Sequence, residues 1–205
     1  MTAEELHEDF PWQDSGPPRG EGLHVSDLIR AYAIRFKLLP GDIVKEPGVA
    51  RPELPLELRA RFTTGFLWEE ALEYAFGRRM AARPAEIEYM GILASPDGLK
   101  YEDGAWVLEE YKSTWGSPKK DPELSWLYMA QVKAYTYMLR KIGYDVQSTV
   151  MRILYLKEGA PWRWNDVPPE DPPVPYRVRR LTFEDAELEM LWNMLLGEGK
   201  ARGWL

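Results

Sequence analysis

Three residues have the types and spacing for chemistry: Asp97, Glu110 and Lys112, within ASPDGLKYEDGAWVLEEYKST, residues 94 to 114. Glu110 and Lys112 stand two apart, so on a strand they project from the same face. Asp103-Gly104 is a strong two-residue turn signal, because both residues tolerate positive φ. If those two form the loop, Glu102 faces Ala105, and counting outward places Asp97 opposite Glu110. Directly opposite residues have Cβ atoms only ~5 Å apart. Two like charges held there repel, and a divalent cation would compensate them. Paired carboxylates make a hard-oxygen site suited to Mg²⁺ or Mn²⁺. Such an ion polarises a phosphoryl oxygen and acidifies a bound water, and the neighbouring lysine can orient or deprotonate that water or stabilise charge on a pentavalent phosphate. Together these groups suit hydrolysis of a phosphodiester. A lone Glu-x-Lys on a strand is usually a solvated face. What lifts this one out of that class is the arrival of Asp97 by turn geometry, with apolar flanks (Ile92, Leu93, Val107, Leu108) that make an unpaired charge costly.

The elements that must position these residues are legible in outline. Residues 86 to 95 (EIEYMGILAS) and 105 to 114 (AWVLEEYKST) read as two strands flanking the turn. Asp121-Pro122-Glu123 offers an N-cap, a proline at the first helical position and an acidic first turn, and Gly143 a stop, which predicts a helix over 122 to 142. Gln131 and Tyr135 are i and i+4 on it and share a face, with Tyr128 nearby. VQSTVMRILYLK, residues 146 to 157, reads as a further strand, as does YRVRRLTF near the end, followed by a helix over 183 to 197. Upstream, His24 to Leu39 has helical character with Ser26 or a neighbour as cap, and Thr63 or Thr64 can cap a helix running to about Met80. Residues 1 to 22, with DSGPPRGEG, read as a flexible acidic arm. Two strands joined by a turn, then a helical crossover to a third, define an α/β fold with a mixed sheet.

Composition narrows the chemistry. The 205 residues contain no cysteine, which excludes disulfides, cysteine-ligated zinc and thiol nucleophiles, and only two histidines, His7 and His24. No apolar run approaches the ~20 residues of a membrane span and no signal-peptide pattern opens the chain, so a soluble cytoplasmic protein is expected. The net charge of −7 does not advertise a nucleic-acid binder, although a small basic face can coexist with an acidic remainder. Few Asn and Gln beside 17 prolines and 29% charged residues point to a thermophilic source.

Ser95-Pro96-Asp97-Gly98 followed by Glu110-Tyr111-Lys112 resembles the signature of the PD-(D/E)xK nuclease superfamily. Gln131-Val132-Lys133-Ala134-Tyr135 is similar to the Gln-x-x-x-Tyr motif of its RecB-like and lambda-exonuclease-type branches. Gly65-Phe66-Leu67-Trp68-Glu69 matches a glycine followed four residues later by His or Glu on the first core helix. The resemblance spans about residues 63 to 157. It implies a restriction-endonuclease-like core with a C-terminal strand and helix over 176 to 197, in one nuclease domain from residue 23 to 205. Carried over, Asp97 and Glu110 are the principal metal ligands, Lys112 the catalytic lysine and Glu69 the residue completing the Mg²⁺ or Mn²⁺ site. The Tyr111 carbonyl faces the metal, and Gln131 and Tyr135 position the DNA strand or the lysine. Glu70 competes with Glu69, and Glu109 with Glu110, where strand parity with Lys112 favours Glu110. The absent cysteines rule out the iron–sulfur staple of some relatives and steer towards the cluster-free, phage-recombination type. The implied activity is a DNA exonuclease acting in recombination, repair or replication. The rivals are a structure-specific endonuclease and a non-catalytic DNA- or protein-binding subunit on the same core. DNA is the implied partner, a recombination or single-strand annealing protein a further one, and a homo-oligomer is in keeping with the family. Candidate DNA contacts are Lys119 and Lys120, with Trp115 to stack on a base, then Arg78, Arg79 and Arg83, and Arg177, Arg179 and Arg180.

Overall fold

The structure, a computed structural model, describes residues 22–39, 47, 63, 65, 67, 86–114, 125–155 and 176–205. A short strand β1 (Leu23–His24) leads directly into helix α1 (Val25–Arg35). His24, not Ser26, is the N-cap, and its backbone N–H donates to the Asp27 carboxylate at 3.1 Å in a capping box. Strands β2 (Ile87–Tyr89), β3 (Ile92–Ala94), β4 (Gly98–Glu102) and β5 (Ala105–Thr114) follow. Helix α2 (Trp126–Lys141) crosses over to β6 (Val146–Tyr155), and β7 (Tyr176–Leu181) returns the chain to helix α3 (Asp185–Ala201).

Residues 86 to 95 do not form the single strand that their apolar character predicts. Met90 and Gly91 both take positive φ, +57° and +73°, and fold the segment into a β2–β3 hairpin. Only Gly91 announces this turn, and methionine at positive φ is uncommon enough to escape a sequence reading. The second turn is as expected. Asp103 and Gly104 sit at +54° and +84°, and β4 pairs with β5 so that Gly98 faces Glu109 and Glu102 faces Ala105. α2 starts at Trp126, later than predicted, with the Ser125 hydroxyl accepting the Leu127 N–H at 3.2 Å; the Asp121-Pro122-Glu123 start lies outside the described residues.

The strands form two sheets, in orders β1-β3-β2 and β4-β5-β6-β7. In the larger sheet β5 and β6 run parallel, as the α2 crossover requires, while both outer pairings are antiparallel. Among the described residues one apolar core lies between the sheets and the helices α1, α2 and α3: Leu99, Leu108, Met151 and Ile153 meet Val132, Met138 and Leu139 of α2, and Leu28, Leu188, Trp192 and Leu195 of α1 and α3. Thr136 ties α2 to β6 through a buried hydroxyl contact with Thr149 at 3.1 Å. Val107, Tyr111 and Val150 are also buried, on the opposite face of the sheet. Among the described residues no helix is long and apolar enough to cross a membrane.

Candidate active site

The site forms where the link between β3 and β4 meets the middle of β5. Pro96, with no N–H to satisfy, lets the chain leave β3, and Asp97 follows it at the mouth of β4. Its Oδ2 accepts the backbone N–H of Tyr111 at 2.5 Å, which fixes the carboxylate against β5. Glu110, one residue back, is fully buried at 0% exposure. Its Oε1 accepts two donors, Lys112 Nζ at 2.5 Å and Gln131 Nε2 at 3.0 Å. Gln131 Nε2 also donates to the Tyr135 hydroxyl at 2.8 Å, one helical turn along α2. α2 thus roofs the face of β5 that carries Glu110 and Lys112.

Electrostatics decide the protonation of two members. Burial by itself disfavours the Lys112 ammonium, but the Glu110 carboxylate, and after it Asp97, more than reverse this and hold its pKa above the ordinary lysine value. Lys112 is therefore held as a cation here, paired with the Glu110 carboxylate. For Tyr135, burial first and the Glu110 carboxylate second push the phenol upward, so it stays neutral and able to donate. Both carboxylates act on Lys112 and on Tyr135, which places Asp97, Glu110, Lys112 and Tyr135 in one electrostatic site.

Glu109 points the other way. Its two carboxylate oxygens take the Arg152 guanidinium from β6, at 2.8 Å from Nε and 3.2 Å from Nη2. Arg180 is likewise engaged away from Glu110, by Glu102 at 3.1 Å and Ser148 at 3.0 Å. Arg177 and Arg179 lie on β7 in register with Ile153 and Met151, neighbours of Lys112 and Glu110 on β5. Gly65 approaches β5 closely: a Cβ there would lie 3.2 Å from Ser113 Oγ. Glu69, Glu70, Trp115, Lys119, Lys120, Arg78, Arg79 and Arg83 fall outside the described residues. Sequence reasoning missed Arg152 and the Thr136–Thr149 contact, because both depend on the parallel β5–β6 register, for which no local signal exists.

Among the described residues no group of three or more His, Cys, Asp or Glu side chains gathers as a cation site. Asp97 and Glu110 supply two carboxylates, and Mg²⁺ is commonly held by one or two carboxylates with retained waters and substrate phosphate. The donor set fits that ion: hard oxygens, with no sulfur or imidazole among the site residues.

The class is an α/β fold, with mixed sheets flanked, among the described residues, by three helices. A crystal structure of an alkaline exonuclease, LHK-Exo from Laribacter hongkongensis, shares it with a TM-score of 0.50 at 16% identity, over 89% of each chain. A crystal structure of LHK-Exo in complex with dAMP gives a TM-score of 0.49 at 17% identity, again over 89% of each chain. At these identities the likeness is one of fold. No family model matches the chain, and no curated protein does.

Proposed function

We propose that this protein is a metal-dependent deoxyribonuclease, an exonuclease in preference to an endonuclease, working on DNA ends in recombination or repair. The observation that carries this reading is that a fully buried Glu110 binds the half-buried Lys112 ammonium, while the half-buried Asp97 is fastened beside them to the Tyr111 N–H and acts on the same ammonium. Burying the Glu110 carboxylate and drawing a lysine and a second carboxylate half out of water beside it is costly, and a structural role alone is met more cheaply by apolar side chains. Similarity of fold to an alkaline exonuclease supports the same class.

Asp97 and Glu110 would hold Mg²⁺ or Mn²⁺, with the Tyr111 carbonyl and Glu69 as further ligands. The bound ion would supply a polarised phosphoryl oxygen and a water acidic enough to attack near neutral pH. Lys112 keeps its positive charge and neutralises charge that builds on the phosphoryl oxygens. Gln131 orients the Glu110 carboxylate and occupies the acceptor side of the Tyr135 hydroxyl, which leaves the phenolic proton to donate towards the strand. Trp115, Lys119, Lys120, Arg78 and Arg79 are proposed to hold the DNA beyond the site.

End-labelled linear DNA and closed circular DNA, incubated with Mg²⁺ and separately with EDTA, test the reading. Loss of the linear form alone, only with the metal, is expected. Nicking of circles would make this an endonuclease on the same core, and no cleavage under Mg²⁺ or Mn²⁺ would overturn the enzymatic reading.

A further inference from the structure

β5 carries two adjacent buried glutamates that face opposite ways, and the ion pair behind the sheet is as well built as the site in front. Glu109 is 5% exposed and binds Arg152 through both oxygens, at 2.8 and 3.2 Å. Arg152 stands opposite Tyr111 in the parallel β5–β6 register, so its guanidinium reaches back two residues along β5 to meet Glu109. One side chain thereby braces residues 109 to 111 from the reverse face. Those residues present the site on the obverse: Glu110 faces Lys112 and Gln131, and the Tyr111 N–H holds Asp97. A buried Arg–Glu pair is a poor device for stability, because desolvation offsets most of its attraction and an apolar pair holds two strands as well. What a two-pronged guanidinium–carboxylate contact adds is a fixed angle between strands.

We propose that Arg152 is a positioning residue: by gripping Glu109 from behind, it sets the segment of β5 that presents Glu110 and Tyr111 to the cation. This rests on the reading of Asp97 and Glu110 as cation ligands. Groups that orient metal ligands from behind typically change metal affinity ~10–100-fold when removed.

The test compares Mn²⁺ binding by calorimetry with thermal melting in EDTA for three proteins: wild type, Arg152→Lys, and the double variant Glu109→Met with Arg152→Met. Lysine keeps the charge but lacks the fork. The double variant removes both charges and keeps the volume apolar, so its melting temperature should stay close to wild type. Both variants are expected to bind Mn²⁺ at least about tenfold more weakly. Wild-type affinity in a folded double variant would overturn the proposal and leave the pair a plain cross-strand tie. If the double variant does not fold, Arg152→Lys decides alone by the same criterion. A wild-type protein that takes up no Mn²⁺ would instead overturn the cation reading itself, and this proposal with it.

Discussion

Replacing Lys112 by methionine removes the ammonium while keeping most of the side-chain volume. The Glu110 side chain is 1% exposed and that of Lys112 17%, so the variant leaves a buried carboxylate without its ammonium while Gln131 still donates to it. Breaking a buried pair by deleting one partner costs about 3–5 kcal/mol. Lys112 is not wholly desolvated and Gln131 stays, so the lower end applies, about 3 kcal/mol. For a chain of this size each kcal/mol moves the melting temperature by about 2–4 °C, which predicts a fall of about 6–12 °C in EDTA. Mn²⁺ should then help the variant more than the wild type, since a cation supplies the charge that Glu110 has lost. At a hundred times its dissociation constant a ligand stabilises by about 2.7 kcal/mol, enough to recover most of the deficit. Differential scanning calorimetry in EDTA and in Mn²⁺ measures both effects. Equal melting temperatures for variant and wild type in EDTA would refute the claim that the ammonium compensates a buried charge. DNA cleavage by the variant near the wild-type rate would separately refute the catalytic role of Lys112.

Because burial lowers but Glu110 and then Asp97 raise the Lys112 pKa, with a net rise, its stabilisation is fully present below the unfolded lysine value of ~10.4 and fades only as pH climbs through the higher folded value. The wild-type-to-methionine gap in EDTA should therefore stay flat from about pH 6 to 9, and its collapse within that range would contradict the assignment. Tyr135→Phe strips the acceptor from one Gln131 hydrogen bond, which should cost about 1–2 kcal/mol in urea denaturation and slow cleavage at saturating DNA. Unchanged turnover would remove Tyr135 from the site. Thr136→Val deprives the buried Thr149 hydroxyl of its partner on α2, a loss of about 1–2 kcal/mol with cleavage unaffected. A drop in cleavage without loss of stability would show that this contact serves the site rather than the packing.

Local rules sufficed wherever a few consecutive residues settle the geometry. Asp103-Gly104 dictates a turn with positive φ at both positions, and that turn alone fixes which residue of β4 faces which residue of β5, so the arrival of Asp97 beside residues 110 and 111 of β5 is written in one hairpin. The same holds for Gln131 and Tyr135, one turn apart on a helix, and for strand parity, which separates Glu110 from Glu109 before any partner is known. The limits lay close by. Met90 gives no hint that it will enter the left-handed region, so the sequence predicts one strand where the chain turns into the β2–β3 hairpin. Ser125, with no strong sequence signal, caps α2, while Asp121-Pro122 lies outside the described residues. The grip of Arg152 on Glu109, the reach of Gln131 to Glu110 and the contact of Thr136 with Thr149 all require β5, α2 and β6 to be laid together. No turn sets that register; it is chosen by the packing of the whole core, and so is the balance of burial against two carboxylates that keeps Lys112 charged.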